Sequence, residues 1–261
     1  FGLFKKLVLA DTFALAVSWG FSNVDAATSL DFFLVMLSYT FEIYFDFSGY
    51  SDMSVGVSTM LNIDLPMNFD SPYKAVSIRD FWKRWHMTLS SFLQTYVYFP
   101  LGGSRKGKLR TFLNTMITFL VSGLWHGANW TFVFWGFLHG LGVAAAGIGG
   151  KRKKTRAGAG RNRFLRFLCQ AATFAYVCMA FVFFRADSLQ DGFFLLSRIF
   201  SFQAAGQLVL MAAAMVPAVI YIVTQALSLI VPYLVGSASV PVLIRVLAVF
   251  FFVLPPKHTV T

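Results

Sequence analysis

The 261 residues are 57% hydrophobic and only 13% charged, against the ~25% of an ordinary soluble domain. With a mean hydropathy of +0.66, this composition excludes a soluble globular protein and predicts an all-α, polytopic helical membrane protein. A net charge of +11 would suit a nucleic-acid binder, but not at this hydrophobicity. The charge fits cytoplasmic loops rich in Lys and Arg, or attraction to an anionic head group or donor molecule.

Residues 1–21 carry Lys5 and Lys6 and then an apolar run, which predicts a membrane helix with a basic end. The run includes Asp11 and lacks a cleavage pattern, so it does not read as a signal peptide. The chain opens on Phe1 and closes in an apolar stretch, as a fragment would. Residues 22–29 read as a short loop. Residues 30–47 predict a second helix, broken at Ser48-Gly49, with Glu42 and Asp46 on one face and Asp52 just beyond. Two readings of these carboxylates stay open. They pair with Arg or Lys of a neighbouring helix, or they orient a reaction.

Residues 62–73 hold two prolines and read as a loop. Residues 77–100 place Phe81, Trp85, Leu89 and Phe92 at helical spacing, with Arg79, Lys83 and Arg84 near the start. That pattern predicts one amphipathic helix lying at the membrane interface. It would set His86 on a face with Trp82, Ser90 and Leu93.

Two basic blocks follow, at residues 101–110 (LGGSRKGKLR) and 151–166 (KRKKTRAGAGRNRFLR). The first lacks the Lys-Ser/Thr ending of a phosphate-cradling loop. The second predicts a cytoplasmic loop. Between Asp80 and Asp187 there is no acidic residue, while 15 Lys and Arg fall in that interval. With both blocks on one side, the segment between them must cross an even number of times or turn back within the bilayer. His126 then lies near the far point of that excursion.

On its N-terminal side, residues 111–124 give 14 uncharged residues, about 21 Å of helix against a hydrocarbon core of ~30 Å. His126 is therefore expected at membrane depth, where an ionisable group is a candidate functional site. The alternative is a histidine whose nitrogens are satisfied by neighbouring helices. Beyond the second block, residues 167–184 predict a membrane helix and 188–207 a partly amphipathic segment. Residues 207–231 and 241–254 predict further spanning helices.

The four histidines, His86, His126, His139 and His258, lack the spacing of a zinc site, so no metal is expected. Cys169 and Cys178 are nine apart, on opposite faces of a helix, and indicate neither a disulfide nor a metal pair. No Gly-x-Ser-x-Gly occurs, so a nucleophile elbow is unsupported. A histidine in a membrane bundle suits a general base toward an acceptor hydroxyl that then attacks an activated acyl group. Asn129, three residues on, can donate a hydrogen bond to a developing oxyanion.

The sequence resembles the membrane-bound O-acyltransferase (MBOAT) superfamily, within it the alginate O-acetylation (AlgI-like) branch. The resemblance rests on FGLFKKLVLAD from Phe1, IYFDFSGYSDMSVG from Ile43 and NFDSPY from Asn68. It is strongest in IRDFWKRWHMTLSSFLQTYVYFPLGG from Ile78, SGLWHGANWTFVFWGFLHG from Ser122 and FVFFRADS from Phe181. It fades past Ser188. The resemblance implies one MBOAT-like transmembrane domain over residues 1–261, with interfacial and re-entrant helices, from which upstream helices are missing.

It further implies that His126, in the Leu-Trp-His-Gly element, is the catalytic histidine. His86 matches an earlier active-site position that is Asn or His elsewhere in the superfamily. Lys83, Arg84, Trp85, Trp125 and Asn129 become the candidate substrate-binding residues. The implied reaction moves an acyl group, most simply acetyl, from a cytoplasmic thioester such as acetyl-CoA to a hydroxyl presented from the other side. No permanently bound cofactor is implied. The implied setting is a bacterial plasma membrane, with an extracytoplasmic acetyl-transfer or esterase-like partner protein and a polysaccharide acceptor. D-alanyl transfer toward teichoic acid is the alternative within the superfamily. A transporter or structural membrane component is the alternative from another class, though no internal repeat is visible.

Overall fold

The computed structural model describes residues 1–24, 26–148 and 163–201. Every regular element among them is helical. The chain enters through α1 (Gly2–Phe4), a wider π-helical stretch (Lys5–Ala10) and α2 (Asp11–Ser22), then turns into α3 (Ser29–Met60). The start of α3 is a reciprocal cap. The Asp31 carboxylate accepts from the Thr28 amide (2.9 Å) and hydroxyl (2.8 Å), while the Thr28 side chain accepts from the Asp31 amide.

At 32 residues α3 is about 48 Å long, more than the depth of a bilayer core. The break expected at Ser48-Gly49 does not exist. Gly49 stays helical and lets the backbone of Gly2 pack against it, since a Cβ there would lie 2.8 Å from the Gly2 carbonyl oxygen. The carboxylates of α3 resolve in part. Lys5 pairs with Asp52 at 2.7 Å and Lys6 pairs with Asp46, so these two acids tie α3 to the entering helix.

The predicted single helix over 77–100 is also corrected. It is two short helices, α4 (Ile78–Trp82) and α5 (Met87–Leu93), followed by a π-helical turn (Gln94–Tyr98). Phe81, Trp85 and Leu89 are buried as the periodicity required, but Phe92 is exposed. The glycine-rich turn after it is pinned by Asn114, whose amide donates to the carbonyls of Leu101 (3.1 Å) and Gly103 (2.8 Å).

α6 (Lys108–His126) and α7 (Trp130–Ile148) form a tight antiparallel hairpin. Gly123 and Gly136 make it possible, because a Cβ on either would collide with a carbonyl of the opposing helix. α6 is longer than the uncharged stretch suggested, 19 residues or about 28 Å. α8 (Arg163–Arg185) starts inside the second basic block, so its last four residues are helix rather than loop. It packs its buried face, Val177, Ala180, Phe181 and Phe183, against α3, α4 and α7. α9 (Leu189–Ile199) is capped by Ser188, which accepts from the Asp191 amide at 3.1 Å.

Two described helices are long and apolar enough to cross a membrane, at Trp130–Gly147 and Arg163–Arg185. The core that joins them to the rest is aromatic. Trp85 stacks on Phe81 (5.5 Å) and Tyr73 (6.1 Å), and meets Phe69 (5.1 Å) and Phe181 (5.3 Å). The expected helices at 207–231 and 241–254, His258 and most of the second basic block lie outside the described residues.

Candidate active site

His126 is the last residue of α6 and stands at the tip of the hairpin. Four rings surround its imidazole edge-on or tilted: Trp125 (4.9 Å), Phe184 (4.9 Å), Trp135 (5.2 Å) and Phe132 (6.3 Å). They come from three helices, α6, α7 and α8. The side chain is thus placed by packing, with its position fixed by the tight approach of α6 on α7.

His86 arrives by another route. It lies between α4 and α5 in the left-handed region, at φ 44° and ψ 56°. A residue with a Cβ pays for that conformation with roughly 1–2 kcal/mol. The segment just before α4 holds it there. The Met87 amide donates to the Asn68 carbonyl (3.1 Å), and the Asp70 amide donates to the Arg84 carbonyl (3.0 Å). The Arg84 guanidinium closes the corner, donating to Asp80 (3.0 Å) and to both the carbonyl and the carboxylate of Asp70 (3.2 Å each).

The tautomer of His86 follows from its neighbour. Asn68 Oδ1 accepts from the Thr88 amide (3.3 Å) and the Thr88 hydroxyl (2.6 Å), so it is an acceptor. His86 Nδ1, 3.3 Å from the same oxygen, must then carry the proton, leaving Nε2 with the lone pair. Burial lowers the His86 pKa to about 4, so the ring is neutral at pH 7.

The two histidines meet at one side chain. The Trp125 indole lies 4.9 Å from the His126 ring and 6.3 Å from the His86 ring, centre to centre, and is 60% exposed. Phe47 of α3 closes the other side of His86 at 4.7 Å.

The remaining candidates divide. Trp85 is 5% exposed and belongs to the aromatic core. Arg84 is occupied by Asp70 and Asp80 in the corner that positions His86. Lys83 is exposed. Asn129 donates to the Asp187 carbonyl (3.1 Å) and accepts from the Thr131 amide (3.2 Å), which ties the hairpin turn to the end of α8.

Sequence reasoning gave no role to Asn68, Phe47, Trp135, Phe184 or His139. His139 is fully buried, accepts at Nδ1 from the Trp82 indole (3.2 Å), and backs the Trp135 ring that touches His126. Its one available signal was spacing, since Trp135 and His139 are four apart on one helical face.

The profile of the membrane-bound O-acyltransferase family, MBOAT, matches residues 18–190, which include both histidines and the α6–α7 hairpin. The chain belongs to the MBOAT family. Curated relatives agree in kind. A "Peptidoglycan O-acetyltransferase" of Helicobacter pylori is 46% identical over 198 residues, 73% of this chain and 35% of that protein. A "Probable alginate O-acetylase AlgI" of Pseudomonas fluorescens is 40% identical over 201 residues, covering 77% of this chain and 39% of its own length. A "Teichoic acid D-alanyltransferase" of Streptococcus thermophilus is 33% identical over 166 residues, 58% of this chain and 40% of that protein. The chain therefore spans well under half the length of these relatives.

Proposed function

We propose that this chain carries the acyl-transfer centre of a membrane O-acyltransferase. It moves an acyl group, most simply acetyl, from a cytoplasmic thioester to a hydroxyl destined for an extracytoplasmic polysaccharide. The observation that supports this best is the convergence of His126 and His86 on the Trp125 indole at the hairpin tip. His126 acts as general base. A ring nitrogen accepts the hydroxyl proton as the oxygen bonds to the thioester carbonyl carbon. The tetrahedral intermediate collapses with C–S cleavage, and the imidazolium returns the proton to the departing thiolate. The acyl donor is acetyl-CoA or another acyl thioester. His86, neutral with its lone pair at Nε2, assists by holding the acceptor.

The setting proposed is the bacterial plasma membrane, crossed several times, with Lys106 and the block at 151–166 on the cytoplasmic side. The whole chain is one MBOAT domain. An extracytoplasmic acetyl-transfer or esterase-like protein completes delivery to the polymer. Impermeant thiol reagents should fail to label Lys106→Cys or Lys153→Cys in intact cells, and efficient labelling of both overturns the topology.

The reaction is tested in the full-length protein, in cells lacking a second copy. His126→Ala should lower polymer acylation about 10²–10⁴-fold while the protein still inserts and folds; near-normal acylation refutes the assignment. D-alanyl transfer is a second reading, favoured by the 33% identical teichoic acid relative. Mass analysis of the ester released from the polymer, acetate against alanine, separates the two.

A further inference from the structure

At the opposite end of the α6–α7 hairpin from His126 lies a cavity of about 200 Å³. Arg79, Ser104, Lys108, Thr111, Thr115 and Gly147 are among its lining, which includes no carboxylate. It sits at the end of the apolar stretch Trp130–Gly147, where a helix crossing a bilayer would leave hydrocarbon for head groups.

Arg79 is held in place on two counts. Its Nε donates to the Val143 carbonyl at 3.1 Å, near the C-terminal end of α7. Its guanidinium lies against Gly147, where any Cβ would collide with it. The Nε bond engages one of the fork's five donors and orients the others. Lys108 opens α6 behind Gly107, which has no side chain to cap the first amides, and these have no intrahelical acceptor. The Thr111 and Thr115 hydroxyls are bonded to helix carbonyls at 2.8 Å each, so donation into the cavity falls to Arg79, Lys108 and Ser104. Arg79 and Lys108 are both exposed on this open recess, and no carboxylate lines it to neutralise them. Asp80, next to Arg79 in sequence, is bonded to Arg84, and the next acid after it is Asp187.

We infer that this cavity is a phosphoryl-group site, occupied by the head group of an anionic phospholipid. Its place at the end of a span favours a lipid over a soluble phosphate ester. The cationic run KRKKTR, from Lys151, follows closely in sequence and adds to attraction for an anionic leaflet. The site is separate from the acyl-transfer centre. Eighteen helical steps from Lys108 to His126 put about 27 Å between them along α6. The inference does not depend on the proposed chemistry.

Native mass spectrometry of the full-length protein in detergent tests it, with phosphatidylglycerol, phosphatidylcholine and coenzyme A as probes. Wild type should take up phosphatidylglycerol saturably and in preference to phosphatidylcholine. Arg79→Gln and Lys108→Gln should each weaken that uptake about fivefold. Gly147→Ala should weaken it too, because it keeps every charge but displaces the guanidinium. Arg110→Gln removes an exposed charge outside the cavity and should leave uptake near wild type. Lys108 is itself exposed, so its variant retains the fold even if Arg79→Gln does not. Uptake indifferent to Lys108→Gln and Gly147→Ala overturns the site. Coenzyme A binding that depends on these residues, without such dependence for phosphatidylglycerol, overturns the lipid assignment in favour of a soluble ester.

Discussion

The two histidines of the candidate site are held by opposite means. His126 ends a long helix and is fixed by ring contacts from three helices, with no backbone distortion at its own position. His86 sits in a left-handed turn between two short helices, locked by a mesh of hydrogen bonds from Asn68, Asp70 and Arg84. A caged ring in an aromatic wall can shed a proton partner without losing its place, which suits a group that changes protonation during a reaction. A ring whose Nδ1 proton is committed to Asn68 has one nitrogen to offer and a fixed direction, which suits orientation.

That contrast makes the strongest prediction. His126→Gln keeps a polar side chain but cannot accept the proton, so turnover should fall about 10²–10⁴-fold. Its melting temperature should stay near wild type, since the aromatic contacts come from the surrounding helices. His86→Asn should keep measurable activity. Asparagine tolerates the left-handed region better than most residues and can still hydrogen-bond an acceptor. Equal losses from the two variants in a full-length assay would merge the roles. Loss of folded protein in both His126→Gln and His126→Ala would return His126 to a structural role.

The tryptophans sharpen the same comparison through stability. Trp85 is buried among five aromatic rings, so Trp85→Ala should cost about 3–5 kcal/mol and lower the thermal midpoint sharply. Trp125 is largely exposed and spans the two histidines, so Trp125→Ala should reduce activity with little change in melting. Activity loss without destabilisation at Trp85 would restore it as a substrate contact.

Composition was enough to read the helical membrane class, and the family was legible only in six stretches taken together, from FGLFKKLVLAD to FVFFRADS, since a Trp-His-Gly alone is weak. The hairpin was legible because uncharged runs flank His126 between two basic blocks. The break at His86 was not, because Phe81, Trp85 and Leu89 satisfy helical spacing and are in fact all buried. What ends the helix is non-local: acceptors at Asn68 and Asp70, brought by a proline-containing loop, compete for the backbone and side chains of the turn. The continuity of α3 was missed for a similar reason. Gly49 looks like a breaker until the Gly2 backbone is seen to occupy the space a side chain would need. Trp85 and Arg84 carried residue types common in binding sites, and only the fold showed both to be committed internally.

His86 also has a pH signature. Its pKa in the folded protein is about 4, below the ordinary 6.5, so the unfolded chain binds more protons between those values. The contribution is fully favourable above about pH 6.5 and declines as the pH falls toward 4. Thermal midpoints of wild type and His86→Asn should therefore converge on acidification over that window. A constant gap would mean that His86 is solvated in the native state.

The smallest effect tests the mesh itself. Asn68→Ala removes the acceptor shared by His86 Nδ1, the Thr88 amide and the Thr88 hydroxyl. The buried-to-half-buried donors left behind should cost about 1 kcal/mol each at most, because water reaches part of this corner. The activity of Asn68→Ala should fall toward that of His86→Asn, since the imidazole is still present but no longer directed. The decisive quantity is the double variant. If Asn68 acts through the His86 ring, Asn68→Ala combined with His86→Asn should lose little more activity than His86→Asn alone. Fully additive losses would mean that Asn68 contributes only to the backbone of the turn. Arg84→Gln supplies the contrast within the same corner. It releases Asp70 and Asp80, both partly solvated, and should lower stability by roughly 1 kcal/mol while leaving the Asn68–His86 bond in place.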